Sequence, residues 1–265
     1  MFERTKYSIR KFPRTRIATI DVCEMGKRKH HVTALIELDV SGSREKIKGY
    51  NKENSNKISF TAWLIHVISC TLKQYETASS YLKGKSRLII FDDINVSMVV
   101  EKDLNGQKVP IPLIIEKANE KSIESITMQI SNARNERLTD KNIVLQKETS
   151  PLEKIYYVLP GFIRRYVWRY MLKHPHLAFK RMGNVAFTTI GMMGKVNGWF
   201  IPMSVHPICF GISSIIKKSV VIENKIEIRE ILNMTILLDH DVMDGAPMAR
   251  LISDLSKNIE SGINL

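Results

Sequence analysis

Residues 235–255 read TILLDHDVMDGAPMARLISDL, an apolar strand that leads into a charged turn and then into a helix. Helical spacing predicts that the helix buries Met248, Leu251, Ile252, Leu255 and Ile259. A pattern of the form His-x-x-x-Asp-Gly arises by chance in only about 2% of sequences with this composition. Functional sites collect where strands end, so the turn is the first candidate for chemistry.

Two residues of the turn invite a chemical interpretation. His240 has a side chain whose ordinary pKa of about 6.5 suits a proton acceptor near neutral pH, although a histidine can also simply end a strand. Asp244 is predicted to be the N-cap of the following helix, where its carboxylate would accept backbone N–H bonds.

Outside this stretch, strand-like and helix-like patterns alternate. Period-two hydrophobicity predicts strands at 32–40, at 94–101 and at 109–115, the last two joined by a turn at 105–106. Helical spacing predicts helices that begin at Phe60 and after Ser122. Four further β-like stretches are VAFTTIGMMG, HPICFGISSI, SVVIENKIEIRE and LNMTILLDH. The order predicts an α/β fold, a two-layer sandwich of a mixed β-sheet covered by helices, in a single domain.

The composition excludes several classes of protein. An apolar fraction of 44% is too high for a disordered chain, and the chain has no apolar run of about 20 residues that could span a bilayer. The three cysteines, Cys23, Cys70 and Cys209, are far apart and predict neither a disulfide framework nor a metal site. No secretory signal is recognisable at the N-terminus, so we expect a cytoplasmic protein. The net charge of +13 comes without a nucleic-acid-binding motif, so nucleic acid is not favoured as a partner.

Residues 155–181 form an aromatic and basic segment, IYYVLPGFIRRYVWRYMLKHPHLAFKR, which we interpret as a helical insert divided at Pro160-Gly161. Tyr, Trp and Arg dominate protein interfaces, and such a helix can also lie on an anionic membrane. The sequence favours packing on the protein's own oligomer, or over its channel, rather than a membrane anchor.

The turn and four other segments resemble the acyltransferase catalytic domains of 2-oxoacid dehydrogenase complexes, which share the chloramphenicol acetyltransferase fold. DHDVMDGAPMARLISDL is similar to their DHRxxDGAxxARFLxxL signature. The other four segments, in family order, are PRTRIATI (13–20), HHVTALIELDVS (30–41), INVSMVVEKDLNGQKVPIPLIIEKANEKSI (94–123) and NVAFTTIGMMG (184–194). Together they span the chain except for 155–181.

The resemblance implies roles for individual residues. The family's histidine maps onto His240 and would take the proton from the thiol of CoA or dihydrolipoamide. The family's oxyanion hydroxyl maps onto Thr188, with Thr189 as the alternative. Asp244 resembles an aspartate that forms a structural salt bridge, for which Arg16 is the candidate partner; Arg14 matches a second family arginine. The family arginine after the histidine is Asp241 here, which reverses a charge beside the base.

The family chemistry implies CoA, or acyl-CoA, as a substrate, with no metal, and a homotrimer with its active site in a channel between subunits. A larger assembly is possible within the family. Residues that bind CoA are not identifiable. No lipoyl domain or peripheral subunit-binding domain is recognisable, so we expect a stand-alone acyltransferase domain over 1–265 that acts on a thiol or hydroxyl acceptor. The alternatives are an antibiotic O-acetyltransferase of the same fold and a catalytically silent scaffold subunit.

Overall fold

A computed structural model gives the fold of the chain. It describes residues 7–10, 12–13, 16–104, 107–135, 155–191, 194 and 196–265. Arg14 and the predicted turn at 105–106 lie outside the described residues.

A six-stranded mixed sheet in the order β1-β8-β7-β6-β4-β5 organises the chain. Its strands are β1 (His31–Asp39), β4 (Val96–Leu104), β5 (Gln107–Ile115), β6 (Val185–Thr189), β7 (Ile208–Ile222) and β8 (Lys225–Asp239). A separate antiparallel pair consists of β2 (Tyr81–Lys83) and β3 (Arg87–Ile89). In the large sheet, β6 pairs in parallel with both β4 and β7, and the other pairs are antiparallel.

The helices in the described residues are α1 (Arg16–Gly26), α2 (Ser41–Glu53), α3 (Phe60–Leu72), α4 (Ile123–Asn135), α5 (Gly161–Lys173), α6 (Pro175–Met182) and α7 (Gly245–Ser261). Four of them, α2, α3, α4 and α7, pack on one face of the sheet and enclose the main core. Trp63 on α3 is fully buried there, and its indole N–H donates to the carbonyl oxygen of Ile263 at 2.9 Å. The predicted two-layer α/β sandwich is therefore confirmed.

Most of the predicted elements lie where the hydrophobic pattern placed them. Ser59 caps α3, because its hydroxyl accepts the backbone N–H of Ala62 at 3.1 Å. The interpretation of SVVIENKIEIRE as one β-like stretch is wrong, since the chain reverses within it at Glu223 and Asn224. Both residues have positive φ, 47° and 65°, as a two-residue hairpin turn requires. Two long strands, β7 and β8, thus replace three of the predicted stretches.

The opposite face of the sheet is crossed by the segment that precedes β7. The indole N–H of Trp199 donates to the carbonyl oxygen of Ile36 on β1 at 2.9 Å. At Gly211 on β7, an added Cβ would lie only 3.1 Å from the side chain of Pro202 and 3.3 Å from the carbonyl oxygen of Phe200. Glycine at this position therefore lets the segment lie directly on the sheet.

Candidate active site

His240 lies in the turn between β8 and α7, with its side chain exposed. Its backbone N–H donates to the carbonyl oxygen of His30 at 3.0 Å. On the strand side, the N–H of Asp239 donates to the carbonyl oxygen of Pro207 at 2.9 Å, and the N–H of Val242 closes the turn onto Asp239 at 3.1 Å. These bonds hold the backbone in place while the imidazole of His240 makes no hydrogen bond to any described residue.

A buried ion pair between Lys29 and Asp239 stabilises the His240 turn. The ammonium group of Lys29 lies 2.6 Å from Asp239 Oδ2, and the side chains of Lys29 and Asp239 are 20% and 1% exposed. The other carboxylate oxygen of Asp239 accepts the backbone N–H of Asp241 at 3.3 Å. Helix α1 ends at Gly26, three residues before Lys29. Asp239 therefore connects the chain just after α1 to the His240 turn, because Asp239 and Asp241 lie on either side of His240.

His30 and His31, the two residues after Lys29, each form a hydrogen bond to another part of the chain. His30 Nδ1 donates to the carboxylate of Asp241 at 2.9 Å, and the hydrogen bond and charge of Asp241 raise the pKa of His30. His31 Nε2 donates to the carbonyl oxygen of His206 at 2.9 Å, and burial lowers the pKa of His31. The negative charge that stands beside His240 is thus engaged by His30 rather than left free.

Thr188 and Thr189 face opposite sides of the sheet. Val185 and Phe187 are buried in the main core, so alternation along β6 places Thr188 on the other face. The hydroxyl of Thr189 accepts the backbone N–H of Gly191 at 3.3 Å, whereas the hydroxyl of Thr188 makes no hydrogen bond to the described residues. Both hydroxyls keep a proton to donate, and what separates them is the face of the sheet: Thr188 lies on the face crossed by the Trp199 segment, and Thr189 on the helical face.

The sheet register separates Thr188 from His240 within one chain. Thr188 is paired with Gly211, and Gly211 is paired with Thr235. Strand β8 ends at Asp239, four residues beyond Thr235, and it lies two strands away from β6. These offsets correspond to about 13 Å along the strand and about 10 Å across the sheet. A general base and an oxyanion donor must both lie about 3 Å from the reacting atoms. One chain therefore does not bring the two predicted groups to the same carbonyl.

The structure does not show the predicted interactions of Asp244. Its backbone has the extended N-cap conformation, but its exposed carboxylate accepts no capping bond. The third residue of α7 is Pro247, which lacks an N–H, so one of the two usual donors is missing. Arg16 and Asp244 form no ion pair: Arg16 begins α1, about 15 Å of helix away from Gly26, the end that leads to the His240 turn.

Residues 13–145 and 176–265 match the sequence model of the family described as 2-oxoacid dehydrogenases acyltransferase (catalytic domain). The chain belongs to this family. The residues between the two matched ranges, 146–175, include α5. The helical insert at 155–181 stays a prediction.

Among the curated relatives of this acyltransferase domain is the dihydrolipoyllysine-residue acetyltransferase component of the pyruvate dehydrogenase complex of Mycoplasma genitalium. It is 27% identical over 226 residues, which cover 84% of this chain and 49% of the relative. The lipoamide acyltransferase component of the branched-chain alpha-keto acid dehydrogenase complex of Bacillus subtilis is 23% identical over 240 residues, 87% of this chain and 47% of that protein. The chain thus spans about half the length of the relatives it matches.

Solved structures share the fold. A probable dihydrolipoamide acetyltransferase from Listeria monocytogenes superposes with a TM-score of 0.68 at 18% identity, covering 98% of this chain and 97% of that one. The Azotobacter vinelandii dihydrolipoamide acetyltransferase, which was studied for the roles of a serine, a histidine and an asparagine in its mechanism, gives 0.67 at 15% identity, covering 96% and 92%. The acyltransferase fold expected from the sequence resemblance is confirmed.

Sequence reasoning overlooked several buried polar groups. Besides Lys29 and Asp239, these are Ser213, Asn233 and Thr235, whose buried side-chain oxygen and nitrogen atoms have no hydrogen-bond partner in the described part of the chain. Thr235 lies in the same row as Thr188, on the face crossed by the Trp199 segment. Asn233 and Thr235 are the polar residues of the otherwise apolar stretch 231–238, and that interruption is the signal that could have drawn attention to them.

Replacing Lys29 with Met is expected to destabilise the protein by about 3 kcal/mol, because it leaves the carboxylate of Asp239 buried and unpaired. Lys29→Arg keeps the charge and should retain most of the stability. Chemical denaturation of the two variants measures the difference. Equal stability of Lys29→Met and the unmodified protein would mean that the pair does not support the turn.

His206 makes the stability of the protein depend on pH. Its ring is buried between Ser204 and the carbonyl oxygen of Met182, and burial lowers its pKa from the ordinary 6.5 to about 4. Between these values the unfolded chain binds more protons than the folded one, so this contribution is complete above pH 6.5 and is lost as the pH falls. We expect the free energy of unfolding to drop by about 3 kcal/mol between pH 6.5 and pH 4. A His206→Gln variant should show a shallower drop when both are unfolded with urea across this range.

Proposed function

We propose that this chain is a CoA-dependent acyltransferase that moves an acyl group between CoA and a thiol acceptor, with His240 as the general base. The observation that carries the proposal is the His240 turn: the family's histidine stands exposed at a strand end on a backbone that hydrogen bonds and a buried ion pair hold in place. A positioned imidazole of this kind is suited to repeated proton transfer at neutral pH.

The chemistry needs no covalent enzyme intermediate. Neutral His240 takes the proton of the attacking thiol, whose ordinary pKa is about 8.5, and the thiolate attacks the thioester carbonyl. The carbonyl oxygen then carries the negative charge, which the hydroxyl of Thr188 stabilises by donating a hydrogen bond. When the tetrahedral intermediate collapses, the departing thiolate takes the proton back from His240.

Because one chain keeps Thr188 and His240 apart, we propose that each active site forms between two copies in a homotrimer. His240 of one copy and Thr188 of its neighbour would line a channel open at both ends, one for CoA and one for the acceptor. Such a contact uses two different surfaces and closes as a ring of three. We propose that Asp244 contributes a negative charge at the N-terminus of α7 and so steadies the His240 turn, which the helix dipole favours. The partner proposed for Asp244 in the assembled protein remains Arg16.

The acceptor that we propose to test first is a dihydrolipoyl group, because the curated relatives are named for transfer at a dihydrolipoyllysine residue. The positive net charge of +13 is compatible with the phosphates of CoA. The reversed charge at Asp241 is the feature that could change the choice of acceptor. A hydroxyl acceptor, as in an antibiotic O-acetyltransferase, would use the same base and the same oxyanion donor.

A complementation experiment tests the proposal. Transfer is followed by the release of free CoA thiol from acetyl-CoA and longer acyl-CoA compounds, with dihydrolipoamide as acceptor. Thr188→Ala and His240→Ala chains should each be nearly inactive, whereas oligomers formed from an equal mixture should regain activity at about a quarter of their sites. Mixed oligomers that stay inactive would contradict a site shared between copies. Unmodified protein that transfers no acyl group to any acceptor would favour a silent scaffold.

A further inference from the structure

Helix α5 presents an aromatic and basic surface that the rest of the described chain does not cover. Its inner face packs on α1, where Arg164 forms an ion pair with buried Asp21 at 2.7 Å and Trp168 donates to the hydroxyl of Tyr156 at 2.9 Å. Met171 and Leu172 extend the same face. The sequence favoured packing of the segment on the protein's own oligomer or over its channel, and within the described chain this face packs on α1. No residue of α5 is fully buried.

The outer face of α5 consists of Phe162, Tyr166, Arg169, Tyr170 and Lys173. Phe162, Tyr166 and Tyr170 are 67%, 68% and 50% exposed. With 3.6 residues per turn, these five positions fall on the side opposite Arg164 and Trp168. Three large aromatic side chains with two cations among them therefore face outward on one 13-residue helix.

The charge around this face is of one sign. From residue 154 to residue 222 the sequence contains no Asp or Glu, and the part from 154 to 181 alone carries seven Lys and Arg residues. Five basic residues of α5 and α6 form no ion pair with any described residue: Arg165, Arg169, Lys173, Lys180 and Arg181. A contact between two copies of this face would oppose like charges, whereas an anionic surface would neutralise them.

We propose that the outer face of α5 docks the protein on an anionic lipid bilayer. Tyrosine and phenylalanine side chains settle at the level of the lipid headgroups, and Arg and Lys beside them pair with anionic lipids. The helix would lie in the plane of the interface. Of the helices that the structure describes, none has both the length and the hydrophobicity to span a bilayer.

Helix α5 is connected to the His240 turn through α1. Arg164 ties α5 to α1, and α1 leads directly to Lys29 and His30, which hold the His240 turn. The docking face belongs to a part of the chain that lies outside the ranges matched by the family. None of the docking residues is a catalytic candidate, so loss of membrane binding should leave acyl transfer unchanged.

The experiment compares binding of the full chain to sedimenting vesicles of neutral phosphatidylcholine and of phosphatidylcholine mixed with phosphatidylglycerol, in about 0.1 M salt. We expect binding to the anionic vesicles only. Arg169→Glu with Lys173→Glu should weaken it at least tenfold, and Phe162→Ser with Tyr166→Ser should weaken it as well. The matched control is Lys48→Glu with Lys52→Glu on α2, the same charge change at the same spacing on another exposed helix; it should bind like the unmodified protein.

Three outcomes would overturn the proposal. One is failure of the unmodified protein to bind anionic vesicles, and another is equal loss of binding in the α2 control, which would indicate diffuse attraction by net charge. The third is a smaller oligomer for Arg169→Glu with Lys173→Glu in size-exclusion chromatography, which would assign the face to contacts between copies. Circular dichroism and acyl transfer, both expected to be unchanged, verify that the α5 variants are folded.

Discussion

His240→Ala is expected to lower kcat for acyl transfer by about 10² to 10⁴, because a positioned general base contributes a factor of this size. The KM for acyl-CoA should change little, since the imidazole acts on the proton of the thiol rather than on the bound nucleotide. Stability should also be nearly unchanged, as the His240 side chain is exposed and only its backbone holds the turn. Steady-state kinetics with purified protein measure these effects.

The control for this substitution is His174→Ala, an exposed histidine at the end of α5, which should retain full acyl transfer. Transfer by His240→Ala within a factor of two of the unmodified rate would remove His240 from the mechanism.

Thr188→Ala is expected to lower kcat by about 10² to 10³, which corresponds to about 2.7–4 kcal/mol of transition-state stabilisation. The effect on KM should be smaller, because the oxyanion exists only after attack on the carbonyl. Thr188→Ser keeps the O–H donor and should restore most of the rate. The same kinetic assay, with saturating acyl-CoA, separates the two parameters.

Thr189→Ala is the matched control for Thr188. The Thr189 hydroxyl accepts the backbone N–H of Gly191, and its side chain faces the helical side of the sheet, away from the side that Thr188 faces. The control should therefore lose less than Thr188→Ala. A larger kinetic effect at Thr189 would mean that it supplies the oxyanion hydroxyl, and it would reverse the assignment.

Local patterns were sufficient for much of the architecture. Alternation from Val32 to Val40 predicts β1, and helical spacing after Phe60 predicts α3 with its cap at Ser59, because these signals depend on neighbours in the chain. The hairpin turn at Glu223 and Asn224 was not predicted from the sequence, because neither residue is the glycine that usually marks a left-handed turn. The lack of a capping hydrogen bond at Asp244 could also have been predicted from the sequence, because Pro247 has no backbone N–H to donate.

The sequence by itself determined the family and the α/β sandwich expected from it, and it predicted the two catalytic candidates, His240 and Thr188. Only the tertiary structure decided that these two residues lie far apart within one chain, because register is set by pairing between strands far apart in sequence. The Lys29 and Asp239 pair, 210 residues apart, was likewise invisible from either segment alone. Only the tertiary structure distinguishes the inner face of α5 from its outer face. The reason is that α1 covers the inner face, and burial depends on the packed chain rather than on the helix alone.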